Sequence, residues 1–239
     1  MNSNSAAGAA GNEDYERYCR ELEAYLCRKN DGHLIRIVGP AFEQVCAWAA
    51  RGVPLTLAMR GVDRYFDRYH AKGPRRRPVR IEFCEADVLD VFGEWKRSVG
   101  VPPELDSEAA EGNSNSLPAH VERVIARLTM LRGGADRSMD AVFDEVVREM
   151  DAARASARTV RGDARETMIA RLQELDDRVV EALRQQTGTD TLQELERQAE
   201  EELQHFRSRM PADAYAASRV ACVNRLLRER AGLPAIAYG

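Results

Sequence analysis

Apolar residues recur at intervals of three and four positions along most of the chain, and this spacing constrains the fold more than any other feature. It places the apolar side chains on one face of an α-helix. Aromatic residues make up only 6% of the 239 residues, while Ala, Leu, Glu, Arg and Gln, which favour long helices, are abundant. The sequence therefore predicts an all-α protein.

Four amphipathic helices are predicted in the N-terminal part of the chain. They follow a tail of small and polar residues, Met1 to Asn12, which we expect to be disordered. Gly and Pro residues mark the helix ends, and the apolar run from Leu34 to Val38 is too short for its periodicity to distinguish a strand from a helical turn. The helices are expected at about Glu13–Lys29, Pro40–Gly52, Pro54–Ala71 and Val88–Gly100, and together they form one module, residues 13–100.

Residues 101–117 have the composition of a linker, being rich in Pro, Ser, Asn and acidic residues. A second helical domain, residues 118–239, is expected to follow as a bundle or as coiled-coil-like hairpins of long helices. Gly162 either interrupts one of these helices or lies within it. The spacing also leaves open whether the long helices pair within one chain or between two chains, as a homodimer.

Several classes of protein are not expected. No stretch approaches the length of a membrane span, and the N-terminus lacks the pattern of a secretory signal. The five cysteines are scattered and include no C-x-x-C pair, so neither a disulfide framework nor a zinc site is predicted. We expect a cytoplasmic protein that does not bind membranes.

Positive charge is concentrated between residues 60 and 80. Eight basic residues there oppose only Asp63 and Asp67, a local net charge of +6 in a chain whose net charge is −4. The first four basic residues are each four positions apart, so they line one face of the predicted third helix. Guanidinium groups in such a row can pair with successive phosphates. This basic ridge consists of Arg60, Arg64, Arg68, Lys72, Arg75, Arg76, Arg77 and Arg80.

An acidic segment follows the basic ridge. Between Glu85 and Glu111, eight acidic residues oppose only Lys96 and Arg97, a local net charge of −6. The basic ridge therefore either remains available to a partner or is neutralised by the protein's own acids. Tyr65 and Tyr69 would add a stacking surface for bases if they are exposed.

Catalytic and metal-binding patterns find little support. Glu202 and His205 have the Glu-x-x-His spacing of di-iron helical bundles, but such sites need a second copy of the motif and two further inward-facing glutamates, and no second copy exists. We find no phosphate-binding Gly-rich loop, no nucleophile elbow and no H-E-x-x-H. A non-enzymatic protein with no cofactor and no metal is therefore expected.

The layout of residues 41–100 resembles the C-terminal domain of DnaD-type bacterial replication proteins, which assist helicase loading and bind DNA. In that family a helix ending in Trp is followed by a Gly-containing turn, a helix with apolar and basic residues, and a last helix with an aliphatic-x-x-x-Trp signature before a Gly. This chain has Asp87 where the family has a Tyr, and it carries an additional Pro-Arg-rich segment, residues 74–78. The matching residues are Val45, Trp48, Gly52, Leu55 to Tyr69, Val91, Trp95 and Gly100.

Two functional hypotheses follow. In the first, the protein is a bacterial nucleic-acid-associated or replication-accessory protein, and the basic ridge binds the phosphate backbone. In the second, it is a protein-binding adaptor that acts through its acidic C-terminal helices, with the basic ridge docked on an acidic protein surface. The resemblance supports the first hypothesis, and the sequence leaves open whether the nucleic acid is DNA or RNA.

Overall fold

The computed structural model describes residues 5–71, 73, 77–102, 116–132, 137–154 and 157–238, with side chains from Glu13 onward. This part of the chain contains nine α-helices and no β-strand, which confirms the all-α prediction. It divides into two compact units: the first holds the described residues up to Lys96 together with Pro102, and the second holds Arg97–Val101 and the described residues from 116 to 238. None of its helices is long and apolar enough to cross a membrane.

The first unit contains four α-helices and one short 3₁₀ helix. Pro40 begins the second helix, where a missing N–H removes no hydrogen bond, and Gly52 follows that helix with a φ of 81°. The helices are α1 (Ser5–Lys29), α2 (Pro40–Ala50), α3 (Leu55–His70) and α4 (Glu85–Val99), with the 3₁₀ helix at Ile81–Cys84.

The start of α1 corrects one expectation. The helix begins at Ser5, whereas the apolar stripe predicts a start at Glu13 and a disordered tail up to Asn12. Residues 5–12 include four alanines, and Ala has the highest helix propensity, so the helix extends beyond its amphipathic part. Met1 to Asn4 lie outside the described residues.

The core of the first unit forms where α1 packs against α2 and α3. Leu22 and Leu26 of α1, Trp48 of α2 and Phe66 of α3 are all buried. Helix α4 approaches α3 at one glycine: a Cβ atom at Gly61 would lie 2.5 Å from the Cα atom of Val88. Only glycine permits this approach without displacement of the backbone.

A buried asparagine connects the end of α1 to the segment that precedes the 3₁₀ helix. The Asn30 amide donates to the carbonyl oxygens of Leu26 and Val79, at 3.0 Å each, and its Oδ1 accepts the Val79 N–H at 2.7 Å. These bonds satisfy the polar atoms of a side chain that is 8% exposed. The end of the basic ridge, around residue 80, is thereby fixed to α1.

The second unit contains the other five α-helices, of which consecutive pairs α5 and α6, α6 and α7, and α8 and α9 pack against each other. Helix α6 ends at Arg154 and α7 begins at Gly162, which has a φ of 53°, so Gly162 marks a break. The helices are α5 (Leu117–Leu131), α6 (Asp140–Arg154), α7 (Gly162–Gln186), α8 (Thr189–Leu203) and α9 (Ala212–Ala231), with a 3₁₀ helix at Gln204–Phe206.

The C-terminal segment of the second unit is held by a buried carboxylate. Asp176 of α7 is 2% exposed, pairs with Arg228 of α9 and accepts the Ile236 N–H at 2.8 Å. Ile236 and Leu233 join the same core as α5, α6 and α7. The C-terminal segment after α9 therefore packs into the bundle.

We expect Gly61→Ala to lower the free energy of unfolding by about 1 to 3 kcal/mol, because the added methyl group would overlap the Val88 backbone. The steric cost of the added methyl group exceeds the gain of about 1 kcal/mol that Ala brings in helix propensity. Chemical denaturation monitored by circular dichroism measures the difference. Gly188→Ala is the control, since a Cβ there meets nothing within 4 Å; equal stabilities of the two variants would contradict the close approach.

Asp176→Ala should destabilise the protein by about 3 to 5 kcal/mol, because it leaves the Arg228 guanidinium and the Ile236 N–H without their buried partner. The neighbouring exposed Asp177, which accepts a hydrogen bond from Gln173 on the same helix, provides the matched control. Asp177→Ala should change the stability by less than about 0.5 kcal/mol. Similar losses in thermal denaturation of both variants would show that Asp176 has no special role.

Candidate nucleic-acid interface

Helix α3 displays the first part of the basic ridge. Arg60, Arg64 and Arg68 are exposed and lie one turn apart on the helix, as their spacing predicts. After the helix, Arg77 and Arg80 are also exposed. The remaining three residues of the predicted set, Lys72, Arg75 and Arg76, lie outside the described residues.

Two of these arginines pair with acidic residues of α4. Arg64 Nη1 lies 2.8 Å from Glu94 Oε1, and Arg68 Nη2 forms a close ion pair with Asp87 Oδ2. The basic ridge is therefore partly neutralised by the protein's own acidic segment, which answers a question that the sequence leaves open. Sequence reasoning identifies the acidic segment but not these two partners, although their separation of seven residues places Asp87 and Glu94 on one face of a helix.

The two ion pairs differ in burial. Asp87 is 5% exposed while its partner Arg68 is 62% exposed, whereas Arg64 and Glu94 are both partly exposed at 43% and 54%. Arg68 therefore shields a buried carboxylate and could not be removed without cost. The Arg64 to Glu94 pair is a surface ion pair, which contributes about 0 to 1 kcal/mol to stability. A phosphate could therefore replace Glu94 with little loss of stability.

Asp63, an acidic residue of α3 among the arginines, contacts two residues of α1. Asp63 pairs with Lys29 at 2.8 Å and accepts the Tyr25 hydroxyl at 2.6 Å. Burial and this hydrogen bond raise the pKa of Tyr25 to about 12, so the hydroxyl remains a donor at physiological pH. Asp63 thus joins α3 to α1 and lies on a different side of α3 from the Arg64 contact with α4.

Two tyrosines lie between the arginines. Tyr65 and Tyr69 are half-buried and stack with their ring centroids 5.8 Å apart. The Arg68 guanidinium lies 5.9 Å from the Tyr65 ring centroid, and the Tyr69 hydroxyl donates to the Arg77 carbonyl oxygen at 2.9 Å. Both tyrosines help to hold the arginines in position, and their remaining surface is adjacent to the charged groups.

Arg80 has an acidic partner of its own. Its Nη2 lies 2.5 Å from Glu82 Oε1, two residues further along the chain. Arg77 differs, since no ion pair among the described residues involves its side chain. Among the described residues, Arg77 therefore has no acidic partner, Arg64 and Arg80 pair with Glu94 and Glu82, which are 54% and 33% exposed, and Arg68 covers the buried Asp87.

The Glu-x-x-His pair of the second unit does not form a metal site within the described residues, which contain no cluster of three or more His, Cys, Asp or Glu side chains that could hold an ion. Glu202 is buried and pairs with Arg225 of α9. His205 is exposed, and its Nε2 lies 2.9 Å from Nη1 of Arg209. The two residues of the motif thus face different surroundings.

The buried cysteines are unsuited to nucleophilic chemistry. Burial raises the pKa of both Cys84 and Cys222 to about 12, and that of Cys19 to about 11. A thiol is nucleophilic only as the thiolate, which is scarce at pH 7 when the pKa is this high. These residues act as small apolar side chains of the core.

Comparison of the chain with known proteins finds no matching family model, no matching curated protein and no matching solved structure. The resemblance to DnaD-type proteins therefore stays a prediction from the residues that carry it.

We expect Cys84 and Cys222 to resist alkylation by iodoacetamide at pH 8, because both thiols are fully buried and their pKa values lie far above that pH. Mass spectrometry of digested peptides measures modification at each site, with the protein in denaturant as the control for intrinsic reactivity. Rapid modification of Cys84 in the native protein would contradict its burial.

Proposed function

We propose that this protein is a non-enzymatic nucleic-acid-associated protein that binds the phosphate backbone through its basic ridge. The observation that carries the proposal is the net charge of +6 between residues 60 and 80, combined with the exposure of all five described arginines of that set. Contacts of this kind position a protein on nucleic acid without reading its sequence.

The chemistry of arginine supports the proposal despite the internal ion pairs. A guanidinium group has five N–H donors, and the Arg64 contact with Glu94 uses one nitrogen. The other donors of a side chain that is 43% exposed remain able to approach a phosphate oxygen. The internal acids would hold the arginines in place while competing with phosphate for their charge.

The biological setting comes from the resemblance alone. The segment from Val45 to Gly100 is similar in layout to a DNA-binding domain of bacterial replication proteins, and it includes α3 and the basic ridge. A replication-accessory role in bacteria, with DNA as the partner, is therefore the setting that we propose. The second unit, with its acidic helices, would then bind a protein partner or a second copy of the chain.

The competition between Glu94 and phosphate provides a directional test. Glu94→Gln should increase the affinity for duplex DNA, because it releases Arg64 and removes a negative charge next to it. Arg77→Ala should weaken the affinity and lower the magnitude of the salt slope by about 1. Fluorescence anisotropy of labelled duplex DNA, single-stranded DNA and RNA, titrated with each intact variant at low salt, measures both effects.

Two features of the design separate binding from folding. Arg68 is left unchanged, because its removal would leave the buried Asp87 carboxylate without its ion-pair partner and would destabilise the fold. Arg20→Ala, on the exposed face of α1 and outside the basic ridge, removes the same charge elsewhere in the unit and should have a smaller effect. If Glu94→Gln, Arg77→Ala and Arg20→Ala all bind nucleic acid equally, the basic ridge is not the interface.

A second candidate function is favoured by the internal ion pairs themselves. If Glu94 and Asp87 serve to neutralise Arg64 and Arg68, the protein would be an adaptor that binds other proteins through its acidic C-terminal helices. It would then show no affinity for nucleic acid even at low salt, for the wild type and for Glu94→Gln alike. The same titrations thus distinguish the two functions.

A further inference from the structure

The segment from Leu34 to Val38 contains no regular secondary structure and lies along α1. Its Ile35 N–H lies 3.3 Å from Cys27 Sγ and its Ile37 N–H donates to Glu23 Oε2 at 2.7 Å. Cys27 and Glu23 are four residues apart on a helix, which corresponds to about 6 Å. Two residues of extended chain span about 6.6 Å, so an extended backbone matches the spacing of these contacts.

One edge of this segment is bonded and the other is open. In an extended chain the N–H and C=O groups of successive residues point to opposite sides, so those of every second residue share a side. Ile35 and Ile37 direct theirs towards α1, so Leu34, Arg36 and Val38 direct theirs away from it. The backbone groups of these three residues have no hydrogen-bond partner among the described residues.

The side chains along the open edge are unusually exposed. Leu34 is 78% and Val38 is 65% exposed, and both are among the few large apolar residues on the described surface. Arg36 between them is 69% exposed, with one nitrogen 3.4 Å from Glu23. The segment therefore presents an apolar, basic, apolar row next to a line of unpaired backbone groups, and such an edge is a template for the addition of another strand.

The positive charge of Arg36 determines which kind of strand fits the open edge. A second copy of this chain, paired antiparallel and centred on Arg36, would place two guanidinium groups opposite each other, which is unfavourable for a cross-strand pair. An acidic side chain opposite Arg36, with apolar side chains two residues to either side, would complement every position of the row. A strand from a different protein fits this pattern.

We propose that residues 34–38 form a docking edge for an extended peptide segment of a partner protein, with the sequence pattern apolar-x-acidic-x-apolar. The segment adds to Leu34–Val38 as an antiparallel strand through backbone hydrogen bonds. This edge is distinct from the basic ridge, so the protein could hold nucleic acid and a partner peptide at different sites.

The test uses a labelled peptide, Thr-Val-Thr-Glu-Thr-Val-Thr, and the intact protein. Fluorescence anisotropy should rise in a saturable manner, and Arg36→Glu should weaken the affinity by about fivefold to tenfold, since an attractive cross-strand pair becomes repulsive. A peptide with Lys in place of the central Glu should show the reverse preference. Arg20→Glu, on the exposed face of α1, is the control for the change in net charge.

Backbone pairing has its own control. A peptide of the same sequence with alternate N-methylated amides keeps its side chains but loses the donors that pair with the open edge, so it should not bind. No saturable rise at protein concentrations up to about 200 μM, or equal binding of the methylated peptide, would overturn the proposal. Dimerisation of the protein that is abolished by Arg36→Glu in light scattering would also overturn it, because the occupant would then be a second copy.

Discussion

The close approach of α3 and α4 at Gly61 is the constraint on which the candidate interface depends. Because Gly61 has no side chain, the Val88 backbone can lie against α3. Helix α4 then lies within reach of the arginines on α3, so that Arg64 meets Glu94 and Arg68 meets Asp87. A larger residue at position 61 would move α4 away and leave the arginines without these partners.

The internal ion pairs have a double effect on the basic ridge. They reduce the positive potential that would attract phosphate, and they hold the guanidinium groups on an ordered surface rather than on freely moving side chains. Since the Arg64 to Glu94 pair is exposed and the Asp87 carboxylate is buried, the two pairs would respond differently to a competing anion. Under the function that we propose, Glu94 would be an exchangeable partner, whereas Asp87 would keep Arg68 in place.

The helices and most of their ends could be predicted from the sequence, because apolar periodicity, Pro40 and Gly52 act through local geometry. Contacts between distant segments could not be predicted in the same way. The pairing of Arg68 with Asp87, and of Asn30 with Val79, depends on how the helices pack, which periodicity does not specify. The extended form of Leu34 to Val38 likewise depends on the side chains of α1 that receive it.

The alignment of the arginines on α3 follows from their spacing alone, whereas their partial neutralisation follows from the fold. The layout that resembles replication proteins spans α3 and α4 and departs from that family at Asp87, the residue that pairs with Arg68. This departure coincides with the part of the surface where the arginines are held by the protein itself. The phosphate binding that we propose would therefore compete with internal pairing at the same side chains.

The most direct test of the central claim is the salt dependence of the affinity of the intact protein for duplex DNA. If the basic ridge binds phosphates, the logarithm of the association constant should fall linearly with the logarithm of the salt concentration, with a slope of about −3 to −6 for contacts with several phosphates. An affinity that is absent at low salt, or one that does not change with salt, would contradict the account and assign the basic ridge to internal pairing alone.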